Sequence, residues 1–391
     1  MQRAPAARAP ATGQRLPQLD TLKSVLIAWI IGGHALLGYS ALGGWEYEEV
    51  REVTFRPRLE FVLTAALGPS ALVVIGAFFF LAGLFVPGAL ARRGRRGFVL
   101  DRAVRLGVPY LVYVVLLWPL LLWLTYRATG RRMPPGRLLG DGHALLDSGP
   151  LWFVGVLLLF SVAYAAMAGR TVRRAGHTVP REPSPRRLRG WHLAGLAAGI
   201  TVLTFVVRIW LPANGPEPVA WNLWQWPQCV AMFGLGIAHA RGELVRHVPD
   251  ELRRACGLIA LLAVVVALSV TVLGGVDKLG DDTGRFLGGW SWQALGPAAF
   301  EGILVVTGSV WLLGTAQRRF TAPSRITAAC NRGAYAAYLL QAPVLLGFAI
   351  AARALPAPAE IKAALVAATS IAACFALGWL LVNRTRMGQI L

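Results

Sequence analysis

His34 stands near the far end of an apolar run that opens with a charged pair, Asp20 and Lys23. An ionisable side chain inside an apolar helix is costly and marks a functional site by default. At 1.5 Å per residue, His34 lies about 18 Å from the inner end of that helix and about 11 Å from its outer end. Glu301 interrupts a later apolar run, about 12 Å from the end expected to be outermost. The two groups therefore fall at similar depth. A carboxylate beside an imidazole would set its tautomer and support it as a general base. Each group could equally be one half of an interhelical hydrogen bond. Arg208, near the outer end of another run, either snorkels to the interface or holds an oxygen of an acceptor. The basic stretch Arg92-Arg93-Gly94-Arg95-Arg96, followed by Arg102 and Arg105, suits a phosphate-bearing ligand, because guanidinium pairs with phosphate in bidentate fashion. Simple anchoring of the chain on the cytoplasmic side would explain the same charges. The chain has no Walker A loop, no dinucleotide-binding glycine pattern, no Gly-x-Ser-x-Gly and no Cys/His spacing for a metal. ATP hydrolysis, hydride transfer and zinc chemistry therefore have no support.

The elements that must position these groups are membrane helices. The 391 residues are 56% hydrophobic and only 15% charged, with mean hydropathy +0.55. Soluble domains carry about 25% charged residues. A spanning helix needs roughly 20 mostly apolar residues. Ten candidates meet or approach that length: 22–41, 68–86, 106–125, 150–169, 192–211, 225–240, 255–273, 293–315, 333–352 and 363–382. The sixth is short, and the second holds Pro69 and ends at Pro87. The expected fold is an all-α polytopic membrane bundle of about ten helices in the cell membrane. Its domains are a disordered basic tail (1–18), a transmembrane domain (19–384) and a short tail (385–391). Arginine clusters at 92–105, 170–189, 241–254 and 318–332 alternate with poorer segments. Since Lys and Arg are retained on the cytoplasmic side, both termini should be inside. The net charge of +20 lies in short loops, which fits topology and anionic lipid rather than nucleic acid. The expected outer loops, 43–60, 210–226 and 274–292, are rich in tryptophan and acidic residues. They form either an aromatic interface belt or a vestibule for a polar acceptor. Cys229, Cys256, Cys330 and Cys374 have no paired spacing and read as small core hydrophobes.

Four patches, in order, resemble the acyltransferase 3 family of membrane O-acyltransferases, within it the glucans biosynthesis protein C type of branch. They are Leu19-Asp20-Thr21-Leu22-Lys23 followed after ten residues by His34; Phe78-Phe79-Phe80-Leu81-Ala82-Gly83 with Asp101-Arg102-Ala103-Val104-Arg105; Gly149-Pro150-Leu151-Trp152-Phe153-Val154; and Asn331 through Pro343. Three positions depart from the family pattern. Lys23 stands for a usual Arg, Ala82 for a common Ser, and Gln341 for a common His.

The resemblance implies that no cofactor is bound and that acyl-CoA is the donor, docking on Lys23, Arg102 and Arg105. It implies His34 as general base, with Glu301 orienting it. The acceptor would be a hydroxyl of a glycan or other small polar molecule, met by Arg208, Trp152 and Gln341. A proton-coupled transporter, or an impaired family member acting as a binding protein, are the competing readings.

Overall fold

The computed structural model describes residues 16–41, 50–132, 148–174, 188–215, 217, 221–240, 242–245, 247–273, 283–322, 324–385 and 388. Of the expected tails, residues 1–15, 386–387 and 389–391 lie outside that set. So do the acidic and aromatic residues at 42–49 and 274–282 of the expected outer loops. Among the described residues the fold is helical throughout, with no strand.

The first helix, α1 (Pro17–Gly38), starts on a proline in its first turn, with Asp20 close behind. Both features suit a helix N-terminus, where the N–H groups lack partners and the dipole favours negative charge. Next comes α2 (Pro57–Arg102), then a π-helical turn (Ala103–Gly107), α3 (Val108–Val112), a second π-helical turn (Tyr113–Leu117) and α4 (Trp118–Ala128). These pieces form one ribbon from 57 to 128. The remaining helices are α5 (Trp152–Arg174), α6 (Gly190–Trp210), α7 (Trp226–His239), α8 (Asp250–Leu273), the short α9 (Gly284–Leu287), α10 (Leu295–Arg319), α11 (Arg325–Ala352) and α12 (Ala359–Arg384). Ser324 caps α11 by accepting from the Thr327 amide at 3.2 Å.

Among the described residues eight helical stretches are long and apolar enough to cross a membrane, against ten expected. The difference has two causes. The ribbon 57–128 contains both the second and third expected spans. The sixth, α7, has only 14 residues. The arginine-rich segment 92–105, expected as a loop, is helical except at Gly94. There φ is 68°, a conformation that costs glycine nothing and a side-chain-bearing residue a good deal. The helix also runs through Pro69 and Pro87.

Two apolar cores hold the bundle together. One joins Leu19, Leu22 and Leu26 of α1 to α2, α5, α6, α7, α8 and α10. The other joins Ile27, Ile31 and Ala35 of α1 to the second half of the ribbon, α11 and α12. Thus α1 belongs to both. Glycines let helices approach closely within each core. A Cβ on Gly83 would collide with the Phe233 carbonyl, and one on Gly236 with the Phe80 carbonyl, so α2 and α7 touch backbone to backbone.

Candidate active site

Between the two cores lies a cavity of about 530 Å³, lined by α1, α2, the first π-helical turn, α5 and α11. On α1, Asp20, Lys23, Ile27, Ile30 and His34 line it as one stripe at helical spacing, with Trp29 beside them. Charge sits at one end of the stripe, hydrocarbon in the middle and imidazole at the other end. On α11 the stripe is Asn331, Arg332, Ala334, Tyr335 and Tyr338.

Hydrogen bonds at two levels fix the register of these helices. The amide of Asn331 bonds Ser24 Oγ at 2.7 Å and Thr21 Oγ1 at 3.1 Å. Ten residues further along each helix, Nδ1 of His34 donates to Oε1 of Gln341 at 2.9 Å. Equal spacing at both contacts means that α1 and α11 run parallel. Gln341 is fully buried, and its Nε2 has no hydrogen-bond partner among the described residues.

The far wall is α2. Lys23 lies over the Phe85 ring at 4.0 Å, and Gly33 comes near Leu67. The two contacts make α1 and α2 antiparallel, so among the α2 residues lining the cavity those of the turn 71–75 stand toward the His34 end. From that turn Ala71, Val74 and Ile75 face the cavity. Phe153 of α5 packs edge-on against Phe78 at 5.5 Å, closing the side beyond. Trp152 also lines the cavity, and Tyr338 donates its hydroxyl hydrogen to the Pro150 carbonyl.

The mouth is basic. Lys23, Arg102, Arg105 and Arg332 all line it. Arg332 is exposed, and Lys23 pairs with Asp20 at 3.4 Å. Asp101 holds Arg105 at 3.0 Å and Arg93 at 2.8 Å. Arg102 packs on the Phe98 ring at 5.2 Å, and its buried Nε has no hydrogen-bond partner among the described residues. Arg105 sits within the π-helical turn, a local widening of the helix that is frequent at functional sites. Its carbonyl accepts from the Tyr335 hydroxyl at 2.8 Å.

The structure thus brings His34, Lys23, Arg102, Arg105 and Trp152 to one cavity, with Gln341 behind the imidazole. It does not bring Glu301 or Arg208 there. The expected pairing of Glu301 with His34 is corrected: Glu301 forms a buried ion pair with Arg208, joining α10 to α6. The depth estimate alone could not reveal this, because depth does not say which way a side chain faces: α10 packs on α1, α2 and α6, and Glu301 turns to α6. The cavity face of α2 carries Ala71, Val74, Ile75 and Phe78, while Val73 and Gly76 on its opposite face meet Gly308 and Val305 of α10. Arg208 neither snorkels nor meets the cavity. It is 4% exposed and lies 4.9 Å from the Trp224 ring. Asn331, Arg332, Tyr335 and Tyr338 were singled out only as part of a family-like patch, with no role. Their spacing of three to four residues was the signal that they share a face.

Elsewhere, Glu52 pairs with Lys362, and Glu60 accepts from the Ser40 hydroxyl at 2.7 Å, so these acidic residues are tied to neighbouring elements. Trp210, Trp290 and Trp292 remain exposed, as at an interface belt. No metal-binding group of His, Cys, Asp or Glu occurs among the described residues.

A family model described as an acyltransferase domain, acyltransferase 3, matches residues 16–383. No curated protein and no solved structure matches the chain.

Proposed function

The chain belongs to the acyltransferase 3 family, and is a multi-pass membrane acyltransferase; on that premise we propose that it moves an acyl group from acyl-CoA to a hydroxyl of a polar acceptor, with His34 as base. One observation carries the reading. A single cavity joins a cluster of four basic side chains to a histidine, with about 16 Å of helix between Lys23 and His34. The phosphopantetheine arm of coenzyme A is an extended chain that spans a distance of this order. Its phosphates would meet Lys23, Arg102, Arg105 and Arg332, and its thioester would lie beside the imidazole.

The steps balance as follows. With Nδ1–H given to Gln341, the imidazole lone pair is on Nε2. Nε2 takes the proton of the acceptor hydroxyl as its oxygen attacks the thioester carbonyl. The carbon–sulfur bond then breaks, and the coenzyme A thiolate takes up the proton from the imidazolium. A glycan or another small hydroxyl compound would serve as acceptor. Gln341 in place of a common histidine keeps a hydrogen-bond acceptor at Nδ1, which supports an active enzyme over an impaired one.

The test is turnover of labelled acyl-CoA by the purified protein in vesicles. His34→Ala should lower the rate by about 10²–10⁴-fold, the usual contribution of a general base, with folded protein retained in the membrane. Normal turnover by that variant would sink the assignment.

A further inference from the structure

Taking as its basis the reading that the cavity holds an acyl donor, we propose that the acyl group is a short uncharged alkanoyl chain, butyryl-sized rather than dicarboxylic, and that Ala71 sets the room for it. Toward the His34 end the cavity is lined by the apolar Ile30, Ala71, Val74 and Ile75 with Phe78 and Phe153 beyond, and the one hydroxyl near by, that of Tyr338 a turn before Gln341, donates to the Pro150 carbonyl. Every basic lining residue is at the other end. Lys23 is eleven residues before His34, about 16 Å along α1. Arg332 is nine residues before Gln341, about 14 Å along α11. Arg105 is level with Tyr335, about 9 Å short of Gln341 along that helix, and its side chain is held by Asp101, one turn further back.

A succinyl-type group would therefore leave its free carboxylate in hydrocarbon with no cation to meet it, a heavy desolvation cost. An alkyl chain gains from the same wall. Ala71 is the small side chain among the branched residues of its turn, and the cavity extends to it. A larger side chain there would shorten the cavity at its histidine end.

The experiment titrates unreactive thioethers, S-ethyl-, S-butyl- and S-(3-carboxypropyl)-coenzyme A, into detergent-purified protein. Quenching of tryptophan fluorescence is the readout, since Trp29 and Trp152 line the cavity. No acceptor is needed. S-butyl-coenzyme A should bind roughly tenfold tighter than the S-ethyl compound, because each buried methylene is worth about fourfold. The carboxylated analogue should bind at least about tenfold more weakly than the butyl one. Ala71→Leu should abolish the preference for butyl while leaving S-ethyl binding within about twofold. Equal or tighter binding of the carboxylated analogue, or a butyl preference that survives Ala71→Leu, would overturn the proposal. Binding of coenzyme A with no discrimination among the thioethers would overturn it too, yet leave the donor reading standing. Failure of every compound, coenzyme A included, to bind protein that still unfolds cooperatively would remove the donor reading and this proposal with it.

Discussion

At His34 the decisive contact is the hydrogen bond from Nδ1 to Gln341. It selects one tautomer and holds the ring in one orientation through a neutral amide. In the proposed mechanism Gln341, expected from the resemblance to meet the acceptor, would instead be a positioning residue, acting on the reacting atoms only through the imidazole. Gln341→Leu should cost up to about 10²-fold in kcat, part of what the base itself supplies, with little change in KM. The same variant should lose only about 1 kcal/mol of folding stability, that of one hydrogen bond. Gln341→His restores an acceptor and should recover most of the rate. A kcat for Gln341→Leu equal to wild type would show that the bond is merely structural.

Among elements, α10 packs on α1, α2 and α6. One face of α2 lines the cavity and the opposite face packs on α10, while Glu301 of α10 turns to Arg208 of α6 and does not line the cavity. The pair ties α6 to α10, away from the chemistry. Both side chains are almost fully buried, and each keeps one atom, Arg208 Nε and Glu301 Oε1, without a hydrogen-bond partner among the described residues. Removing one partner strands the other charge, so Arg208→Ala or Glu301→Ala should each destabilise the bundle by about 3–5 kcal/mol. Replacing both, as Arg208→Met with Glu301→Leu, should recover most of that loss, because the desolvation cost disappears with the charges. Thermal unfolding in detergent measures this. Turnover per folded molecule should be close to wild type in the double variant; a large loss there would instead place the pair in the reaction.

Across the whole molecule, the cavity lies where two apolar cores meet, with its basic mouth at one end of the bundle. If the arginine clusters are retained inside, that mouth opens to the cytoplasm, where acyl-CoA is made. In a background with the four native cysteines replaced, Arg332→Cys should react with an impermeant maleimide only in inside-out vesicles. Trp290→Cys should react only from the opposite side. Acyl-CoA should protect the cysteine at 332. Labelling of both positions from one side would reverse or break this topology.

How much of this was legible in the amino-acid order depends on the range of each interaction. Apolar runs, the placing of Lys23 and His34 on one helix, and the basic residues before the third span are local in the chain, so spacing alone reported them. The helical course of 92–105 was missed because charge density was taken for a loop. Arginine is a good helix former, and only Gly94 interrupts the run. The partners were beyond reach. Gln341 meets His34 across 307 positions, and Arg208 meets Glu301 across 93. Equal depth put Glu301 beside His34 on paper, but depth is one coordinate. Which helices are neighbours is decided by how side chains and glycines pack, as at Gly76 and Gly308, and that packing exists only once the chain is folded. The sequence by itself determined a membrane-spanning helical chain, a histidine within its first span and a cluster of cations before the third. Tertiary structure alone decided that these share one cavity, that an amide holds the imidazole, and that the buried carboxylate belongs to an arginine of α6.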